Sequence, residues 1–178
     1  MRLIVALMVL SFPVLGQSSS YGDFKIFENQ IIYQHVFDCS SMTVELLDSV
    51  LRATPGVTDV AVKDGTITAR LSDLMVDYKK FKFPQVSTPP IVQTGQFGGR
   101  LTAQVKDGRY RITLEEITMK GNIGYKNIPD PEPMTGYATI KSATMLGQDW
   151  CRPNMLGLLN QALNDHFTCK SDPTTSDW

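Results

Sequence analysis

The sequence predicts an α+β fold: one antiparallel β-sheet with two helices packed on one of its faces. Three observations predict it. First, Ile67, Ala69 and Leu71 alternate with Thr68 and Arg70. Leu101, Ala103 and Val105 alternate with Arg100, Thr102, Gln104 and Lys106, and Tyr110, Ile112 and Leu114 with Arg109, Arg111, Thr113 and Glu115. Side chains on a strand point alternately to opposite faces, so such segments have one apolar and one wet face, as in an antiparallel sheet covered on one side. Second, Lys63-Asp64-Gly65 and Lys106-Asp107-Gly108 each sit between two strand-like runs. Asp-Gly suits the tight type I′ hairpin turn, whose two central residues need positive φ. Third, helical periodicity occurs near both ends of the chain and strands fill the middle, the segregated order of an α+β domain.

The elements follow in order. Arg2 is a positive n-region, Leu3 to Leu10 is an unbroken apolar run, Pro13 breaks it, and Val14 and Gly16 fit the small-residue positions before a cleavage site. Residues 1–16 are therefore expected to be a signal peptide cut between Gly16 and Gln17. A transmembrane anchor needs about 20 apolar residues, and this stretch is shorter and holds Ser11 and Pro13. No cysteine lies near the cut to take a lipid. The mature protein is thus expected outside the cytoplasm, periplasmic or secreted, without a transmembrane anchor. Residues 17–24 read as a flexible lead-in, 25–169 as a single domain, and 170–178 as a loose polar tail.

Phe27 to Phe37 reads as the first strand. Ser40 or Ser41 is placed to cap a helix in which Thr43, Leu46, Leu47, Val50 and Leu51 share one side, and Pro55-Gly56 ends it. The two Asp-Gly hairpins follow, covering 57–71 and 101–119. Between them, 84–97 reads as a long crossover loop. Residues 121–133 read as a second loop, extended over Ile128 to Pro133 because residues before proline avoid the helical region. Gly136 to Leu146 is a weaker strand candidate. Pro153 suits the first turn of a last helix over Asn154 to Phe167.

The segment Val105-Lys-Asp-Gly-Arg-Tyr-Arg-Ile-Thr-Leu-Glu-Glu-Ile117 resembles a family of exported bacterial domains of unknown function with a TATA-box-binding-protein-like fold. The resemblance covers roughly Gln30 to Gly121 and includes the strand Ile32 to Phe37. It implies a curved sheet with helices on one face. It implies no activity and carries over no functional residues.

The 178 residues hold 17 basic and 18 acidic side chains, a formal net charge of −1. Proteins that live on phosphate contacts are usually strongly basic, so nucleic acid is not the expected partner. Zinc sites need three or four ligands; His166 and Cys169 form half a set with no second pair at metal-binding spacing, so no metal or cofactor is expected. His35 and Cys39 lie about 13 Å apart along a strand, too far for a nucleophile and its base, and no hydrolase or phosphate-loop motif occurs. The chain therefore reads as a non-enzymatic domain.

Two surfaces stand out. Arg100, Lys106, Arg109 and Arg111 should project from the wet sheet face, either as a binding surface for an envelope protein or glycan or as a solvated face balanced by Glu115. Tyr78-Lys-Lys-Phe-Lys-Phe83 interleaves aromatics with lysines, a pattern that suits acidic headgroups or glycans, or an edge strand protected by its charges. A second functional expectation is a carrier of a small apolar ligand, in a pocket lined by Tyr33, Phe37, Tyr110 and Leu159.

Export would let a disulfide persist. Cys151 and Cys169 flank a helix about 21 Å long at a rise of about 1.5 Å per residue, whereas bridged Cα atoms lie within about 7 Å. Any bridge must then use Cys39. With an upward strand at 136–146, the last helix would start at the end of the sheet that holds Cys39. The expected pair is Cys39–Cys151, with Cys169 left as the odd thiol; three free thiols remain the alternative.

Overall fold

The computed structural model describes residues 19–169. The expected signal peptide, its expected cleavage point near Gly16–Gln17 and the expected 170–178 tail lie outside these residues.

The strands are β1 (Ser20–Tyr21), β2 (Phe24–Phe27), β3 (Gln30–Asp38), β4 (Val57–Lys63), β5 (Thr66–Leu74), β6 (Gln96–Lys106), β7 (Arg109–Ile123) and β8 (Lys126–Pro133). They form one eight-stranded antiparallel sheet in the order β1-β2-β3-β7-β6-β5-β4. β8 pairs the second half of β7, on the flank that β3 occupies along the first half. The helices are α1 (Val44–Ala53), α2 (Pro90–Thr94), α3 (Thr135–Ala138) and α4 (Leu158–Phe167), and α4 is preceded by a π-helical turn at Pro153–Gly157. β9 (Thr139–Ile140) and β10 (Met145–Leu146) make a separate two-stranded clip.

This is an α+β fold, and the alternating segments face as their patterns require. Ile67, Leu71, Leu101, Ala103, Tyr110, Ile112 and Leu114 are buried together with Leu47 and Leu51 of α1 and Leu158, Leu159 and Leu163 of α4. Both long helices thus share the apolar face. Both Asp-Gly turns form: Asp64, Gly65, Asp107 and Gly108 all have positive φ. The cap of α1 is Thr43, whose hydroxyl accepts from the Leu46 N–H at 3.2 Å, so Ser40 and Ser41 lie outside the helix.

The sheet bends along one line. β4, β5 and β7 each carry a register shift, and Asp59, Asp73 and Glu116 sit there with φ of 55°, 55° and 51°. Bulges bend a strand and increase its twist. Between them, Gly98 and Gly99 of β6 leave no room for side chains: a Cβ would stand 2.6 Å from the Leu71 carbonyl oxygen and 2.7 Å from that of Glu115.

Four expectations are corrected. The first strand is two, because Glu28 and Asn29, with φ of 48° and 59°, make a third tight turn between β2 and β3. The lead-in reaches less far than residue 24: Ser20–Tyr21 is already a strand, and Phe24 is fully buried in the core. The 84–97 crossover holds a 3-10 turn (Gln85–Ser87) and α2, which buries Ile91 and Val92. Finally, 136–146 adds no strand to the main sheet. Ile128 to Pro133 does instead, as part of β8, and the prolines are tolerated because β8 has only one neighbour.

Candidate functional site

The face of the sheet away from the helices is uncovered and polar. Each position follows from strand alternation. Arg100, Gln104 and Lys106 project there from β6, Arg109, Arg111, Thr113 and Glu115 from β7, Gln34 and Val36 from β3, Lys25 from β2 and Arg70 from β5. The structure therefore brings all four predicted cations, Arg100, Lys106, Arg109 and Arg111, onto one surface. It adds Arg70, from the alternating segment 67–71, and Lys25, which lay outside the alternating segments.

The cations differ in what holds them. Arg100 is answered by Glu115 at 3.0 Å and Glu116 at 3.3 Å. Arg111 donates to the Gln104 side chain, which donates in turn to Thr66 at 3.3 Å. Lys25 donates to Gln34 at 2.7 Å, and Gln34 to Thr113 at 3.0 Å. Among the described residues, Lys106 and Arg109 have no ion-pair partner. They rim a recess of about 420 Å³ at the hairpin end, with Val36, Gln104, Asp107, Tyr110 and Arg111. Val36 is 48% exposed on its floor, an apolar spot among cations. A second recess of about 380 Å³ continues across the face between Lys25, Phe27, Thr102, Arg111 and Glu115.

On the covered face the polar groups are spent on joining elements. The Asp23 carboxylate lies 2.9 Å from His35 Nδ1 and accepts from Asn160 and Asn164 of α4 at 3.0 and 3.1 Å. The Asp23 N–H donates to Asn160 Oδ1 at 2.9 Å, and Tyr33 donates to Asn164 Oδ1. Burial raises the Asp23 pKa, but the hydrogen bonds from His35, Asn164 and Asn160 outweigh it and hold the carboxyl below its ordinary value. Burial pushes the Tyr33 phenol strongly upward. This cluster pins α4 to the first hairpin. The cluster is not visible in the sequence, because 137 positions separate Asp23 from Asn160. Its only local sign is the Asn160/Asn164 spacing of one helical turn beside an apolar stripe.

Tyr110 closes the other end of α4. Its hydroxyl donates to the Phe167 carbonyl at 2.7 Å and accepts from the Cys169 N–H at 2.8 Å. Burial pushes its pKa up to about 12. Its ring stacks on Phe37 at 4.9 Å. The pocket a carrier would need is therefore filled: Tyr33, Phe37, Tyr110 and Leu159 are core side chains, each buried against the others' cluster.

The remaining sequence candidates fall as follows. Residues 78–82 form turns and not an edge strand; Tyr78, Phe81 and Phe83 pack partly against the core, and Lys80 pairs with Asp165 at 2.6 Å. His166 packs edge-on against Phe167 at 5.0 Å, and among the described residues no group of three or more His, Cys, Asp or Glu stands at metal-binding distance. No described helix is long and apolar enough to cross a membrane.

The Cys39–Cys151 pair is corrected. All three cysteines are free thiols, and it is Cys169 that shares a recess with Cys39. Cys151 lies near Tyr21 instead. The cause is the missing strand at 136–146. The chain turns through α3 and the clip, so α4 starts where Asn154 donates to the Ser87 carbonyl and ends at the Asp107-Gly108 hairpin. The helix runs opposite to the direction predicted.

No family model matches the chain, and no curated protein matches it. Among solved structures it is similar to a DUF4468 family protein from Bacteroides ovatus, at 15% identity and a TM-score of 0.41, with 82% of each chain covered. It is also similar to a TBP-like protein from Parabacteroides distasonis, at 8% identity and a TM-score of 0.47, with 80% of this chain and 90% of that one covered.

Proposed function

We propose that the protein is an exported, non-enzymatic domain that binds an anionic partner in the cell envelope, a protein or a glycan, across the open face of its sheet. The carrying observation is charge segregation. A chain of net charge −1 gathers Lys25, Arg70, Arg100, Lys106, Arg109 and Arg111 on one uncovered surface, and its acids answer chiefly Arg100. Lys106 and Arg109, beside exposed Val36, form the anchor end. Clustered like charge on a rigid surface raises the local concentration of an oppositely charged partner and its association rate. Arg supplies planar donors that match carboxylates and sulfates. The sheet needs no rearrangement to present these groups.

The test compares wild type with the double variant Lys106→Glu, Arg109→Glu in two arms: retention on immobilised envelope extract, and titration with polygalacturonate, a uronic-acid glycan. We expect at least a tenfold loss of retention with melting within about 2 °C of wild type, since exposed substitutions away from packed features usually change stability by less than about 0.5 kcal/mol. Wild-type binding to polygalacturonate that the variant lacks selects a glycan; retention on extract alone selects a protein. Equal retention of both chains would overturn the proposal.

A further inference from the structure

We propose that Cys39 and Cys169 form a disulfide that clasps the end of α4 to the end of β3, and that Cys151 takes no part. Each cysteine is held in place by backbone bonds at the same corner. The Cys39 N–H donates to the Gly108 carbonyl at 3.0 Å, which ties it to the β6–β7 turn. The Cys169 N–H donates to the Tyr110 hydroxyl at 2.8 Å. Phe37 and Tyr110 are cross-strand partners whose rings stack, so the two anchoring points belong to one packed unit. Both cysteines line one recess open to solvent with Asp38, Ser40, Ser41, Asp107, Gly108 and Arg109, and burial together with the neighbouring Cys39 thiol raises the Cys169 thiol above its ordinary value. An oxidant therefore has access, and both thiols face the same recess at one corner of the domain.

The chemistry is thiol–disulfide exchange with an external disulfide, RSSR. One cysteine thiolate attacks a sulfur of RSSR, forming a mixed disulfide and releasing RS⁻. The second thiolate then attacks the protein-bound sulfur of that mixed disulfide and expels the other RS⁻. The two cysteines lose two electrons and two protons, and RSSR becomes two RSH. Export, as proposed above, would place the chain where such a bridge persists. The bridge closes a loop that contains every element from α1 to α4, and long loops gain most from cross-linking in the chain-entropy account.

The test uses the full chain, reduced and then equilibrated with oxidised glutathione, followed by alkylation and non-reducing peptide mapping. The expected result is a linked Cys39–Cys169 peptide with Cys151 alkylated, and a melting temperature about 10 °C above that of the reduced chain. Cys151→Ser should keep the linkage and the shift, and Cys169→Ser should lose both. Because the mapping is done on wild type, it does not depend on any variant folding. A Cys39–Cys151 peptide, glutathione adducts without an internal bridge, or an unchanged melting temperature would each overturn the proposal.

Discussion

The two faces of this sheet spend their polar groups differently. On the covered face, Asp23, His35, Tyr33, Asn160 and Asn164 satisfy one another, and Tyr110 satisfies both Phe167 and Cys169. Apart from the Asp23–His35 contact, each bond joins the sheet or its first turn to α4 or to Cys169 just beyond it. On the open face the bonds run sideways along the sheet, between Lys25, Gln34 and Thr113 or between Arg111, Gln104 and Thr66. They join nothing that the backbone ladder has not joined already. The difference teaches where change should cost stability and where it should cost recognition.

The contrast breaks most visibly in the core. Ile112→Ala, at a fully buried position between the helices and the sheet, should lower stability by about 2–5 kcal/mol, read by urea denaturation. Asp23→Ala comes next. It leaves His35, Asn160 and Asn164 without their acceptor and should cost about 1–3 kcal/mol. The same residue sets a pH dependence. Its folded pKa is lowered, so its contribution is present above the unfolded value of about 3.9 and is lost as pH falls through the lower folded value. Asp23→Asn should flatten that acid limb. Tyr110→Phe removes one donor and one acceptor and should cost about 1–2 kcal/mol. Thr43→Ala removes a single cap bond and should cost about 1 kcal/mol. On the open face, Arg109→Glu should leave stability within about 0.5 kcal/mol. A covered-face variant that proved neutral, or an open-face variant that unfolded the chain, would erase the distinction.

What was legible in the sequence follows the same line. The open face could be read, since alternation over 66–71 and 100–115 assigns each side chain a side before any contact is known. The Asp-Gly turns could be read because two adjacent positive φ angles leave few residue choices. The Glu28-Asn29 turn uses the same geometry without glycine, so it passed for strand. β8 passed for loop because its prolines look like breakers, although an edge strand accepts them. The Asp23 cluster and the Cys39–Cys169 corner depend on the direction of α4. That direction is set by α3 and by the clip of two-residue strands, too short for any period to show. One misplaced strand at 136–146 was enough to send the wrong cysteine to Cys39.

The claim that the open face is the working surface is tested most directly by site-specific photo-crosslinking. A benzophenone side chain is placed at Arg111 on the open face and, in a separate chain, at Gln161 on the exposed side of α4, and both chains are irradiated in envelope extract. The account predicts a discrete adduct from position 111 that excess unlabelled wild type abolishes and excess Lys106→Glu, Arg109→Glu does not. Position 161 should give none. A competed adduct from position 161 with none from 111 would contradict it.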